Sequence, residues 1–128
     1  MRNIFITLCL NLTLVIHIYI YIYIYVFVHT GKTTQCPQFL LEEYPHAKIV
    51  ACQSRRLAAV GVATRVAEEV GGRVGGLVGY MVRGDSKVSD QTRLLFCTYG
   101  VILRCLQEDP LLVSVDYIIL DEVHEVST

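Results

Sequence analysis

Residues 31–128 predict an α/β fold built on a parallel sheet, with an unlike apolar segment ahead of it. Three observations carry this expectation. From Lys32 onward, short apolar runs alternate with stretches of helical length and pattern, and strand–helix alternation is the mark of a parallel sheet. The run Tyr117-Ile-Ile-Leu-Asp121 has no polar alternation, as expected of a strand covered on both faces. Charge is also split. Arg2 is the single Lys, Arg, Asp or Glu among residues 1–30, and residues 31–128 hold the other 10 basic and 12 acidic side chains.

The elements follow in order. Lys32 to Glu43 reads as a helix, with Pro37 tolerated in its first turns, and Tyr44-Pro45-His46 ends it. Lys48 to Cys52 is a short apolar run and reads as a buried strand. Arg55 to Val70 is a helix with Leu57, Val60, Ala63, Ala67 and Val70 at helical spacing, stopped by Gly71-Gly72. Gly75 to Val82 and Arg93 to Cys97 are short strands. Tyr99 to Gln107 is a helix stopped before Pro110. Asp116 to Asp121 is the last strand.

The length of 128 residues allows one domain at most. A hydrophobic content of 53% excludes a disordered chain, and a net charge of -1 excludes a strongly basic nucleic-acid tail or arm. The five cysteines (Cys9, Cys36, Cys52, Cys97, Cys105) are widely spaced with no C-x-x-C. That pattern argues against a zinc site or a secreted disulfide framework. It predicts small buried thiols in a reduced compartment.

Ile4 to Val28 carries no formal charge. As a helix it would span about 37 Å, enough to cross a bilayer, and Arg2 ahead of it fits a signal anchor. A transmembrane segment at about 4–28 is therefore one expectation. The strict Ile/Tyr alternation that follows His17 and ends at Tyr25 fits a helix poorly and a strand well. A repeated AT dinucleotide also translates as Ile-Tyr. The favoured expectation for residues 1–30 is translated non-coding sequence joined to a coding exon near Thr30/Gly31. A membrane anchor and a genuine strand are the alternatives.

Chemistry-bearing residues sit at the junctions. Gly31-Lys32-Thr33-Thr34 opens a helix, where backbone N–H groups and the helix dipole favour phosphate. Lys32 would reach the terminal phosphates and Thr33 would ligate Mg²⁺. A parallel sheet binds ligands at the carboxyl ends of its strands. Asp121 would then face the Mg²⁺ held by Thr33, and Glu122 would orient or deprotonate the attacking water. His124 would link this site to another domain. Arg55 and Arg56, after Gln53 and Ser54, lie at a helix start against the dipole. An anionic partner such as a nucleic-acid backbone explains them. Thr98, Tyr99 and Gly100 occupy a similar strand-to-helix turn.

Together these residues resemble the first RecA-like domain of the DEAH/RHA-type RNA helicases of superfamily 2. Gly31-Lys32-Thr33-Thr34-Gln35 is similar to the end of motif I, and Gln53-Ser54-Arg55-Arg56-Leu57-Ala58-Ala59 to motif Ia. Thr98-Tyr99-Gly100-Val101-Ile102-Leu103-Arg104 resembles motif Ib, and Asp121-Glu122-Val123-His124-Glu125 resembles motif II. The resemblance implies a partial RecA-like P-loop NTPase domain over 31–128. It implies ATP and Mg²⁺ as cofactors, RNA as partner, a second RecA-like domain as the missing half, and a cytoplasmic or nuclear location. Membrane is a partner only if residues 4–28 are genuine.

The departures from the family carry expectations too. The family's motif I places glycines at positions that are Val26 and His29 here. Val strongly resists the positive φ angles that let N–H groups converge on phosphate, and Phe27 would crowd the cradle. Ser54 replaces the usual Pro of motif Ia. Motifs III to VI, with the arginine fingers, lie outside this sequence. The expectation is a helicase fragment that hydrolyses ATP poorly or not at all and does not unwind RNA. An RNA-stimulated ATPase abolished by Lys32→Ala would refute it. Another P-loop ATPase, or a non-enzymatic membrane-anchored fragment, is the alternative.

Overall fold

The structure is a computed structural model. It describes residues 4–8, 13–17, 25–26, 32–110 and 112–121, with side chains over 34–110 and 112–120. Among the described residues, eight strands form one sheet in the order β3-β2-β1-β8-β4-β7-β5-β6. The strands are β1 (Ile4–Leu8), β2 (Thr13–His17), β3 (Tyr25–Val26), β4 (Ile49–Gln53), β5 (Val78–Val82), β6 (Asp85–Lys87), β7 (Leu94–Thr98) and β8 (Tyr117–Asp121). The five central strands β1, β8, β4, β7 and β5 run parallel, and β2, β3 and β6 are antiparallel additions. The expected α/β class with a parallel sheet is the class observed.

Among the described residues, three helices connect the strands: α1 (Lys32–Glu43), α2 (Arg56–Glu69) and α3 (Tyr99–Glu108). From β4, α2 leads past β7 to β5; from β7, α3 leads back past β4 to β8. Parallel crossovers are right-handed, so two crossovers in opposite directions must lie on opposite faces. The two cores bear this out. Cys36 and Leu40 of α1 pack with Ala59, Ala63, Val66 and Ala67 of α2 on Ile49, Ala51, Phe96 and Ile119. Val101 and Ile102 of α3 pack on Val50, Cys52, Cys97 and Ile118.

The inward stripe of α2 differs from the expected one. Ala59, Ala63, Val66 and Ala67 are fully buried, while Leu57 is 88% exposed and Val70 lies at the surface. Spacing alone allowed two overlapping stripes. The alanine-rich one wins because small residues let the helix approach the sheet closely. Leu57 sits in the first turn, open to solvent.

At the amino ends of the strands, side chains fix the register. The Lys48 N–H donates to Asp116 Oδ2 at 2.9 Å, and the Asp116 and Tyr117 N–H groups both donate to the Lys48 carbonyl. Arg93 donates to the Tyr44 and Ala47 carbonyls at 3.1 and 3.3 Å. Its positive charge thus sits at the C-terminal end of α1, where the helix dipole favours it.

The transmembrane helix expected at 4–28 is not found. The described parts of that stretch are strands β1, β2 and β3, and no helix among the described residues is long and apolar enough to cross a membrane. Ile4-Phe-Ile-Thr-Leu8 is rich in β-branched and aromatic residues, which suit a pleated surface. β1 pairs with β8 from Ile4↔Tyr117 to Leu8↔Asp121. Within the Ile/Tyr tract, residues 18–24 lie outside the described residues. So does the proposed junction at Thr30/Gly31.

Candidate nucleotide and nucleic-acid site

Two neighbouring strands whose crossovers leave in opposite directions open a crevice at their carboxyl ends, and open α/β sheets bind ligands there. Here those strands are β4 and β7. They are in register from Ile49↔Leu94 to Gln53↔Thr98, so the two segments expected to touch nucleic acid emerge side by side. Gln53 is buried at the last position of β4, and Ser54 and Thr98 are half-buried. Arg55 and Arg56 are exposed and form no ion pair among the described residues.

Both following helices begin with no side-chain cap. Arg55 is the N-cap of α2 and Thr98 that of α3, both in extended backbone, and neither helix has an acidic residue in its first turn. The first N–H groups of a helix have no intrahelical partner. Two helix N-termini and two guanidinium groups therefore share one edge, with no carboxylate in either first turn. That arrangement suits a chain of phosphates and opposes a cationic or apolar ligand.

The segments expected to hold nucleotide lie on the same edge, on the far side of β4. Asp121 is the last residue of β8, and β8 pairs with β4 up to Cys52↔Leu120, so one further step sets Asp121 beside Gln53. α1 ends at the amino edge, where Arg93 holds the Tyr44 and Ala47 carbonyls that follow it, so its start at Lys32 and Thr33 points to the carboxyl edge. Thr34 is buried, and its carbonyl accepts from Gln38 Nε2 at 3.1 Å. The backbone placement fits a phosphate-and-metal site made from Lys32, Thr33 and Asp121. The side chains of those three residues, and all of Gly31, Glu122 and His124, lie outside the described residues.

One residue of this edge escaped sequence reasoning. β5 and β6 form a hairpin through Arg83-Gly84, with Val82 paired to Asp85 and Gly84 at φ +82. β5 and β7 are in register up to Met81↔Cys97, so Val82 lies level with Thr98 and exposed Arg83 comes out beside the start of α3. The signal was a two-residue Xaa-Gly turn between a strand and a polar run. It was hidden because Asp85-Ser-Lys87 is too polar to read as a strand.

A mostly parallel α/β sheet with a lysine at a helix start and a strand-end aspartate on the same edge has the architecture of a RecA-like domain. Comparison with known proteins narrows this. No family-level profile matches the chain. It is 52% identical over 101 residues to DExH-box ATP-dependent RNA helicase DExH1 of Arabidopsis thaliana, covering 74% of this chain and 10% of that protein. It is 49% identical over 108 residues to ATP-dependent RNA helicase DHX29 of Mus musculus, covering 75% of this chain and 8% of the relative. The crystal structure of the E. coli DExH-box NTPase HrpB superposes with a TM-score of 0.71 at 44% identity, over 76% of this chain and 12% of that one. Over about three quarters of its length the chain is similar to DExH/DEAH-box RNA helicases, and it spans about a tenth of the length of the relatives it matches.

Proposed function

We propose that this chain binds single-stranded RNA through its phosphates along the carboxyl edge of the sheet, beside a weakened Mg²⁺–ATP site. The observation that carries the proposal is the β4/β7 register, which sets two uncapped helix N-termini and exposed Arg55 and Arg56 side by side. Gln53, Arg55 and Arg56 hold one stretch of backbone. Thr98, Tyr99 and Gly100 hold the next, and Arg83 extends the row. These contacts touch phosphate and not base edges, so binding is insensitive to sequence.

On the nucleotide side, Gly31, Lys32, Thr33 and Thr34 would receive the phosphates of ATP, and Thr33 with Asp121 would hold Mg²⁺. The ion supplies charge neutralisation at the phosphates. Glu122 orients the attacking water, and His124 relays the state of the site outward. Val26 and His29 stand where the family has glycines that let the loop close on phosphate, so nucleotide affinity falls far below that of a complete loop. A second RecA-like domain is the proposed partner across this site, supplying arginine fingers.

The test is fluorescence anisotropy of labelled single-stranded RNAs of unrelated sequence, titrated with the full chain at several salt concentrations. Binding of similar strength to all of them, falling linearly on a log–log plot against salt, is expected. Lack of binding at low salt, or strong preference for one sequence, overturns the proposal.

A further inference from the structure

Cys52 and Cys97 are register partners on neighbouring strands, and their Sγ atoms lie 3.9 Å apart. Both are fully buried and neither is bridged. Each stands one residue before an RNA-facing segment: Cys52 before Gln53 and Cys97 before Thr98. Neighbouring strands run about 4.8 Å apart, inside the Cα separation of roughly 4.4–6.8 Å that a disulfide spans. Rotation of the two side chains therefore brings the sulfurs within bonding range with little backbone movement. We propose that Cys52 and Cys97 form an oxidisable dithiol that controls the spacing of the two RNA-facing segments.

The oxidant is a small peroxide. One thiolate sulfur attacks the peroxide oxygen, giving a sulfenic acid and releasing water or an alcohol. The other sulfur then displaces the sulfenic hydroxyl, which leaves as water, and an S–S bond closes. Two S–H bonds are lost, and the peroxide takes up the two electrons. The Cys52 thiol is pushed up by its contact with Cys97 and by burial, so it stays protonated at neutral pH. Reaction therefore waits on brief opening of the strand ends and is slow. A closed bridge draws the two Cβ atoms toward about 3.8 Å. This pinches the sheet where Gln53 and Thr98 leave it, and RNA affinity falls.

The consequence for RNA rests on the proposed RNA contact, so the test reads the bond and the binding separately. The full chain is treated with hydrogen peroxide, blocked with an alkylating agent, digested without reductant and mapped by mass spectrometry. A linked peptide pair joining Cys52 to Cys97 is expected, lighter by two hydrogens than the two thiol peptides and lost after dithiothreitol. It should persist in a chain carrying Cys36→Ser and Cys105→Ser and vanish in Cys97→Ala. RNA affinity of the oxidised wild-type chain should fall several-fold and recover with dithiothreitol. Lack of the linked pair in the wild-type chain, or a linked pair with unchanged RNA affinity, overturns the inference. A linked pair in a chain that binds no RNA in either state supports the dithiol and overturns the RNA reading.

Discussion

Replacing Arg55 and Arg56 together by alanine should weaken RNA binding while leaving the fold as stable or slightly more stable. The two effects have opposite signs because the same charges face two partners. Arg55 is the N-cap and Arg56 the first residue of α2, both exposed. At a helix N-terminus a cation is unfavourable by roughly 0.3–1 kcal/mol, so the double variant should hold or gain stability. An exposed contact between opposite charges contributes about 1 kcal/mol at most. Losing two costs about 0.4–2 kcal/mol, roughly a two- to thirty-fold drop in affinity. The salt dependence gives an independent reading. Single-stranded nucleic acid loses roughly 0.7 in log–log slope per phosphate contact removed, so the slope should shrink by about 1.4. Anisotropy at four or more salt concentrations measures slope and affinity, and thermal unfolding of the same samples measures stability. An unchanged slope, or a loss of RNA binding accompanied by a fall in melting temperature, would refute the reasoning.

Three further predictions concern the scaffold that holds this edge. Val66→Ala should destabilise by about 2 kcal/mol, since two buried methyl groups are lost at a fully enclosed site, whereas Leu57→Ala should stay within about 0.5 kcal/mol; denaturant midpoints decide between the two α2 stripes. Gly79→Ala should cost about 1–3 kcal/mol, because the new methyl would press on the Lys87 carbonyl and stand 3.1 Å from Thr92 Cγ2; its readout is the unfolding midpoint, and a neutral result would mean β6 does not lie against β5. Tyr117 is raised above its usual range by burial and by its contact with Tyr44, whose ring centroid lies 5.1 Å away. The unfolded tyrosine ionises near 10 and the folded one higher, so its contribution is present below pH 10 and is lost as pH rises above it. Tyr117→Phe should therefore flatten the loss of stability with pH above 10, measured by denaturant midpoints from pH 8 to 11.5.

Most of the architecture of residues 32–121 was legible in the sequence. All three helices and four of the five strands in that stretch fall within three residues of their expected bounds, because apolar runs and helical spacing report burial directly. β6 escaped because an exposed edge strand has no buried face to leave a pattern. The α2 stripe was misplaced because alanine and valine recur at two helical phases, and only contact with the sheet selects one. At the site, Arg55, Arg56, Thr98 and Tyr99 could be named from strand-to-helix junctions, and Arg83 could not.

The sequence by itself determined the fold class and the family resemblance. Glycine and lysine at a helix start, acids at a strand end and arginines against a helix dipole each suit an external partner, and that fit is written in local chemistry. Which of these groups act together is not local. Gln53 and Thr98 are far apart in the chain and meet because β4 and β7 pair in register, and two crossovers in opposite directions put the crevice between them. Strand order and register are set by packing on both faces of the sheet. Only the tertiary structure could align the two strand-to-helix segments, set Arg83 beside them and bring two thiols to 3.9 Å beneath both.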